Sequence, residues 1–141
     1  MSAHSRLVAG ILLVLMPTVV FGGASILNLL VGDPAYADNQ LRQDLWRAGH
    51  AHAGVLLVLS LVTLRYADET RLPEALRNVA RHAIPAAAIL LPAAFFLSVL
   101  SPEATQPNAF INLAYVGAAS LAAGLLVLGI GLIRNYQGGA Q

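Results

Sequence analysis

The chain has no cysteine and no lysine among its 141 residues, and only 11% of them are charged. A typical soluble domain carries about 25% charged residues, so this composition indicates a different class of protein. The absence of cysteine excludes iron–sulfur clusters, thiolate zinc sites and disulfide frameworks. A net charge of +1 gives no indication of a nucleic-acid partner or an acidic one.

Apolar residues make up 57% of the chain, and its mean hydropathy is +0.70. No polar block is long enough to form a separate soluble module, so residues 1–141 are predicted to form one transmembrane domain. A helix needs about 20 apolar residues to cross a bilayer. On this criterion the sequence predicts an all-α, integral membrane four-helix bundle with spans at about 7–31, 45–64, 83–100 and 109–133.

The first apolar run has an alternative interpretation as a secretory signal, because the small-x-small stretch 34–37 precedes Asp38. The hydrophobic region of a signal peptide is about 7–15 residues long, which is shorter than this run. We therefore expect the run to remain as a helix that ends at the Gly32-Asp33-Pro34 turn signal.

Arginine is distributed unevenly between the two sides that four spans define. With four spans, both termini lie on the same side of the membrane. The other side carries only Arg42 and Arg47, while the side with the termini carries six arginines: Arg6, Arg65, Arg71, Arg77, Arg81 and Arg134. The positive-inside rule therefore predicts that both termini are cytoplasmic and that the second span starts at the outer face.

Two histidines, His50 and His52, lie in the stretch DLWRAGHAHAG (44–54) at the start of the second span. Ionisable side chains are costly within a membrane and usually have a function or a partner there. Residues two apart on a helix point about 200° apart, so the two imidazoles cannot hold one ion while both are helical. One of them is expected to face the bundle or a neighbouring subunit.

A neutral imidazole flanked by Ala51, Ala53 and Gly54 suits an axial haem ligand, because small neighbours leave room for a flat macrocycle. The alternative for His50 is an interfacial imidazole that hydrogen-bonds near Arg47 and binds no cofactor. At the other end of the bundle, His82 is interpreted as an interfacial residue and His4 as a solvated one.

Polar side chains also recur in the outward halves of the other spans, and they are candidates for lining a pocket: Asn28, Ser98, Asn112 and Tyr115. Small residues on facing surfaces would let the helices pack closely, and these are Gly22, Gly23, Gly49, Gly54, Gly117 and Gly124. The alternative is that the polar side chains only satisfy one another between helices.

Three segments carry a resemblance to a known family: GILLVLMPTVVFGG followed by LNLLVGD in the first span, WRAGHAHAG before the second, and AAFFLSVLSP in the third. They resemble the styrene oxide isomerases and the related hydroxylaminobenzene mutases, which are small four-span proteins of the bacterial inner membrane. The resemblance implies a trimer that binds haem b. It assigns the iron ligand to His52, because Ala53-Gly54 matches the small-Gly pair, with His50 as the alternative ligand and Arg47 and Gly54 in the same cofactor-binding motif.

The resemblance also implies a reaction, in which ferric haem acts as a Lewis acid on the oxygen of a small apolar epoxide taken from the bilayer. Ring opening gives a benzylic cation, and a 1,2-hydride shift then gives an aldehyde. This chain departs from the family at Val58, where the family has asparagine, and at Phe96, where it has tyrosine. Polar contacts to the substrate would then have to come from Asn28, Asn112 or Tyr115.

Two further classes of function are compatible with the sequence. One is a non-catalytic membrane subunit or assembly protein without a cofactor, in which the small-residue faces serve helix packing. The other is a transporter, which is less well supported because the spans contain no carboxylate to couple an ion.

Overall fold

The computed structural model describes residues 1–138, with side chains as far as residue 136. Its elements are α1 (Ala3–Gly32), α2 (Pro34–Ala37), α3 (Gln40–Ala67), α4 (Glu74–Ser98), a 3₁₀ turn (Ala109–Asn112) and α5 (Leu113–Gly138). Four helical segments are long and apolar enough to cross a membrane: α1, α3, α4, and α5 together with its 3₁₀ turn. The predicted all-α fold with four spans is confirmed, and it is the architecture of a multi-pass membrane protein.

Local chemistry explains where the first helices end and begin. Helix α1 ends at Gly32, as the turn signal predicts, and the Asp33 carboxylate then accepts a hydrogen bond from the backbone N–H of Ala35 (3.0 Å) to start α2. Helix α3 begins at Gln40, ahead of the membrane span that the sequence predicts from about residue 45. The reason is an N-cap, because the Asn39 side chain accepts a hydrogen bond from the backbone N–H of Arg42 at 3.1 Å.

The four long helices pack in the order α1, α3, α4, α5. Helix α4 lies between α3 and α5 along its length, while α1 packs mainly against α3. The largest buried apolar cluster joins α1, α3 and α4, and it consists of Leu12, Leu56, Leu57, Leu64, Ala87, Ala88 and Leu91. Helices α1 and α5 are therefore the outer members of the arrangement.

Small residues bring α4 and α5 together, as the sequence predicts. A Cβ atom added to Gly117 would lie 2.9 Å from Cγ of Leu91, and one added to Gly124 would lie 2.8 Å from Cγ1 of Ile84. Between lipid-embedded helices the hydrophobic effect gives little net attraction, so close van der Waals contact of this kind carries the association. The hydroxyl of Ser120 adds a hydrogen bond to the carbonyl of Ala83 (2.8 Å).

One end of the bundle, which we call the terminal end, contains the start of α1, the end of α3, the start of α4 and the end of α5. Asp68, just after α3, accepts hydrogen bonds from the backbone N–H of Ser2 (2.6 Å), the hydroxyl of Ser5 (2.9 Å) and the guanidinium of Arg81 (2.7 Å). Arg81 is buried and also pairs with Glu74 at 2.8 Å. These contacts connect α1, α3 and α4, and the sequence did not predict them.

The protonation state of Asp68 follows from this network. Burial opposes ionisation of its carboxyl group, but the hydrogen bonds from Arg81, Ser2 and Ser5 outweigh that effect and lower its pKa from 3.8 to about 2. Asp68 is therefore an anion near neutral pH. It compensates the buried charge of Arg81, which would be costly if unpaired.

Candidate cofactor site at the start of α3

The first turns of α3 are held by a buried arginine at the end of the bundle opposite the terminal end. The guanidinium carbon of Arg42 lies 5.7 Å from the ring centroid of Tyr36 and 4.7 Å from that of Trp46. Nε of Arg42 donates a hydrogen bond to the carbonyl of Val99 (3.2 Å), and the indole N–H of Trp46 donates to the carbonyl of Phe96 (3.3 Å). These contacts attach α3 to α2 and to the end of α4, and they set the rotation of α3 for the two histidines that follow.

His50 points towards α1. Its ring is half-buried and lies against Gly22 and Gly23, so that a Cβ atom added to Gly23 would come within 2.9 Å of both Cε1 and Nε2. The glycine pair thus leaves the space that the imidazole fills. In this position Nε2 of His50 faces the backbone of a neighbouring helix.

His52 points away from that contact and is exposed in the single chain. Its Nδ1 lies 2.7 Å from the carbonyl oxygen of Ala48. A carbonyl oxygen only accepts, so Nδ1 carries the proton and Nε2 of the neutral ring keeps its lone pair. The ring also packs against Phe95, with 5.2 Å between centroids and 51° between planes. An imidazole held through Nδ1–H to a carbonyl, with Nε2 available, is the usual arrangement of a metal-binding histidine.

The two histidines therefore lie on different faces of α3, as helical geometry predicts. Within the described part of the chain, no three histidine, aspartate or glutamate side chains come together to hold a metal ion. A group that needs only one axial side chain fits the residues around His52 better than a multi-ligand metal centre does.

Arg47 remains accessible near this site. Its Nε donates to the carbonyl of Gln43 (3.1 Å), its guanidinium also donates to Oε1 of Gln43 (2.6 Å), and Asp44 lies 3.9 Å away. The side chain is 53% exposed, so the guanidinium can still meet an anionic group. Gly54, the last residue of the motif, faces α1, because a Cβ atom there would lie 3.7 Å from Cγ1 of Val19.

In a single copy of the chain, the four polar pocket candidates do not line a common cavity. Asn28, Asn112 and Tyr115 are exposed, whereas Ser98 is buried and its hydroxyl donates to the carbonyl of Phe95 at 3.2 Å. The reason is the packing order, because the three exposed residues lie in the outer helices α1 and α5 and in the 3₁₀ turn before α5.

The two positions that depart from the isomerase family have different surroundings. Val58 is 52% exposed, on the outer surface of α3. Phe96 packs inside the bundle: a Cβ atom on Gly49 would lie 3.0 Å from its Cε2, and its ring lies 5.9 Å from that of Trp46. The aromatic neighbour of His52 is instead Phe95, a residue that the motif alone did not single out.

The remaining histidines are brought together at the terminal end. The sequence suggested a solvated His4 and a separate interfacial His82, but their Nε2 atoms lie 2.9 Å apart. No local pattern indicates this contact, because 78 residues separate the two positions in the chain.

No family model, curated protein or solved structure matches this chain. The resemblance to the isomerases therefore rests on the sequence motifs. The function has to be argued from the site itself.

Proposed function

We propose that the chain is a haem-b protein of the bacterial cytoplasmic membrane that isomerises small apolar epoxides to carbonyl compounds, with His52 as the axial ligand. The observation that carries this proposal is the geometry of His52. Its Nδ1–H is held by the carbonyl of Ala48 at 2.7 Å, and its Nε2 is available on an exposed face of a membrane helix.

The neighbours of His52 support the same assignment. Phe95 packs against the imidazole and limits its rotation, while Ala51 and Ala53 offer little obstruction to a flat ring system. Arg47, at the membrane–water interface of α3, would pair with a haem propionate. His50 is the less suitable ligand, because its Nε2 faces the backbone of α1 at Gly23.

When bound, the haem supplies a Lewis-acidic ferric iron for the epoxide oxygen. Apolar side chains around the site, together with the lipid, would exclude water from the reacting carbon atoms and so protect a cationic substrate from hydrolysis. An epoxide that partitions into the bilayer would reach His52 directly from the lipid. With Val58 and Phe96 apolar, Asn28, Asn112 or Tyr115 would supply the polar contacts to the substrate.

Assembly of several copies, three by the resemblance, belongs to this proposal. Polar side chains facing lipid are unfavourable, yet Asn28, His52, Asn112 and Tyr115 are all exposed in the single chain. A subunit interface would cover them and would enclose the haem. The arginine distribution favours cytoplasmic termini, and with that orientation His52 would lie near the outer leaflet.

The alternative is a cofactor-free membrane subunit. It is supported by the packing of Phe96 on Gly49 and by the apolar side chain at Val58, where the isomerase family carries polar groups. The two functions differ in whether the purified protein contains haem.

Absorbance of the purified protein tests the proposal. We expect a Soret band in the wild type that is lost in His52→Ala and kept in His50→Ala, with His82→Ala at the terminal end as the control. A protein produced with ample haem but lacking the band, or a band unchanged in His52→Ala, would refute the assignment. Haem-loaded protein that does not convert a small aryl epoxide to an aldehyde would refute the isomerase activity while leaving the cofactor in place.

A further inference from the structure

Two imidazoles from different helices meet at the terminal end, far from the site at the start of α3. His4 lies in the first turn of α1 and His82 lies in α4, with their Nε2 atoms 2.9 Å apart. The ring centroids are 5.0 Å apart, at 62° between planes, and both residues are exposed. The proposed function makes no use of this pair.

The hydrogen bonds of His82 fix its tautomer. Its Nδ1 lies 2.8 Å from the carbonyl oxygen of Asn78, so Nδ1 carries the proton and the neutral ring directs the Nε2 lone pair at His4. Without a ligand, the Nε2–H of His4 donates to that lone pair. If the proton of His4 moves from Nε2 to Nδ1, and the rings turn so that the two Nε2 lone pairs point to a common position and not at each other, both nitrogens can bind the same ion.

We propose that His4 and His82 bind one divalent ion of a late first-row transition metal, Cu²⁺ or Zn²⁺, through their Nε2 atoms. With metal–nitrogen distances of about 2.0–2.1 Å, a separation of 2.9 Å corresponds to an angle of about 90° at the metal, which suits adjacent ligands in square-planar or octahedral coordination. If the two Nε2 atoms moved slightly further apart, the nitrogen–metal–nitrogen angle would reach the tetrahedral value that Zn²⁺ prefers. Water completes the coordination.

The type of ligand selects the metal. Imidazole nitrogen suits copper, zinc and nickel, whereas Mg²⁺ and Ca²⁺ require oxygen ligands. The backbone carbonyl that orients His82 is the kind of outer partner that supports metal-binding histidines. In the described part of the chain no third histidine, aspartate or glutamate joins the pair, so we expect weaker binding than at a structural zinc site with four protein ligands.

The charges around the pair are compatible with a bound cation. Arg81, next to His82 in the chain, is paired with Asp68 at 2.7 Å and with Glu74 at 2.8 Å. Arg6 is exposed to solvent, where its charge is screened. The ion would connect the start of α1 to α4 beside the contacts that Asp68 already makes.

The first test is a calorimetric titration of the full chain with Zn²⁺ in detergent near neutral pH, with no polyhistidine tag. We expect one saturable site in the wild type and a loss of affinity of more than about tenfold in both His4→Gln and His82→Gln. The control is His50→Gln, which should bind Zn²⁺ as the wild type does.

The second test counts the ligands directly, and its result for the wild type does not depend on the stability of the variants. Electron paramagnetic resonance of the Cu²⁺-loaded wild type should show two coordinated imidazole nitrogens, and each single variant should show one or none. Zn²⁺ binding of equal strength in His4→Gln, or a single imidazole on Cu²⁺ in the wild type, would overturn the proposal. Neither result depends on whether His52 binds haem.

Discussion

The imidazole of His50 lies directly against Gly23, so that any side chain at position 23 would overlap the ring. A Cβ atom there would be 2.9 Å from both Cε1 and Nε2 of His50. This contact explains why a glycine pair in α1 faces a histidine in α3. It also gives the two histidines of the motif different roles, because His50 contributes to helix packing while His52 stays accessible.

Gly23→Ala should therefore destabilise the protein by about 1–3 kcal/mol, because the ring of His50 would have to leave its position. Unfolding in detergent can be followed by the fluorescence of Trp46, the single tryptophan. Gly10→Ala is the control in the same helix, since a Cβ atom there meets nothing within 4 Å. The double variant with His50→Ala should be no less stable than His50→Ala alone, and additive losses would contradict a direct contact.

The contact between α4 and α5 gives a second comparison within one helix. A Cβ atom at Gly124 would lie 2.8 Å from Cγ1 of Ile84 and 3.4 Å from its backbone nitrogen, whereas one at Gly129 meets nothing within 4 Å. We expect Gly124→Ala to lower the free energy of unfolding by about 1–3 kcal/mol, and Gly129→Ala to cause no loss. Equal effects would mean that α5 does not pack on α4 through this face.

The carboxylate of Asp68 should make stability depend on pH in the acid range. Its pKa is lowered from 3.8 to about 2 in the folded chain, so its contribution is present above the unfolded value and is lost as the pH falls through both values. The contribution is roughly 2 kcal/mol. Unfolding measured from pH 6 down to pH 2 should show this loss in the wild type and not in Asp68→Asn.

Asp68→Asn should also destabilise the protein near neutral pH, by at least about 2 kcal/mol, because the buried Arg81 would lose one of its two charged partners and keep only Glu74. The matched control is Glu69→Gln. It breaks the exposed pair between Arg65 and Glu69, which lie 3.2 Å apart with side chains 62% and 48% exposed, and should cost less than about 1 kcal/mol. Similar losses in the two variants would contradict a special role for Asp68.

Arg42 should not be replaceable by lysine. Its guanidinium carbon lies 5.7 Å from the ring centroid of Tyr36 and 4.7 Å from that of Trp46, and its Nε donates to the carbonyl of Val99, a combination of aromatic contact and directed hydrogen bonding that an ammonium group does not reproduce. We expect Arg42→Lys to cost about 2 kcal/mol of stability and to alter the fluorescence of Trp46. Arg65→Lys, at an exposed position, should change neither property.

The positions of the helices could be predicted closely from the sequence, because hydropathy and turn residues act locally. The Gly32-Asp33-Pro34 signal ended α1 where expected. Helix α3 begins before the predicted span, at Gln40, because its polar first turn is stabilised by the Asn39 cap. That stabilisation comes from one side-chain hydrogen bond and leaves little trace in an apolar pattern.

By itself, the sequence determined that this chain forms four membrane-length helices and that His50 and His52 point in different directions, because both follow from residue composition and helical periodicity. Only the tertiary structure decided that His50 faces Gly23, that His52 lies beside Phe95, and that Asn28, Asn112 and Tyr115 stay on the outside. It also joined His4 to His82 and Asp68 to Arg81. The physical reason is that these contacts depend on which helix packs beside which, and that order arises from close packing between residues far apart in the chain.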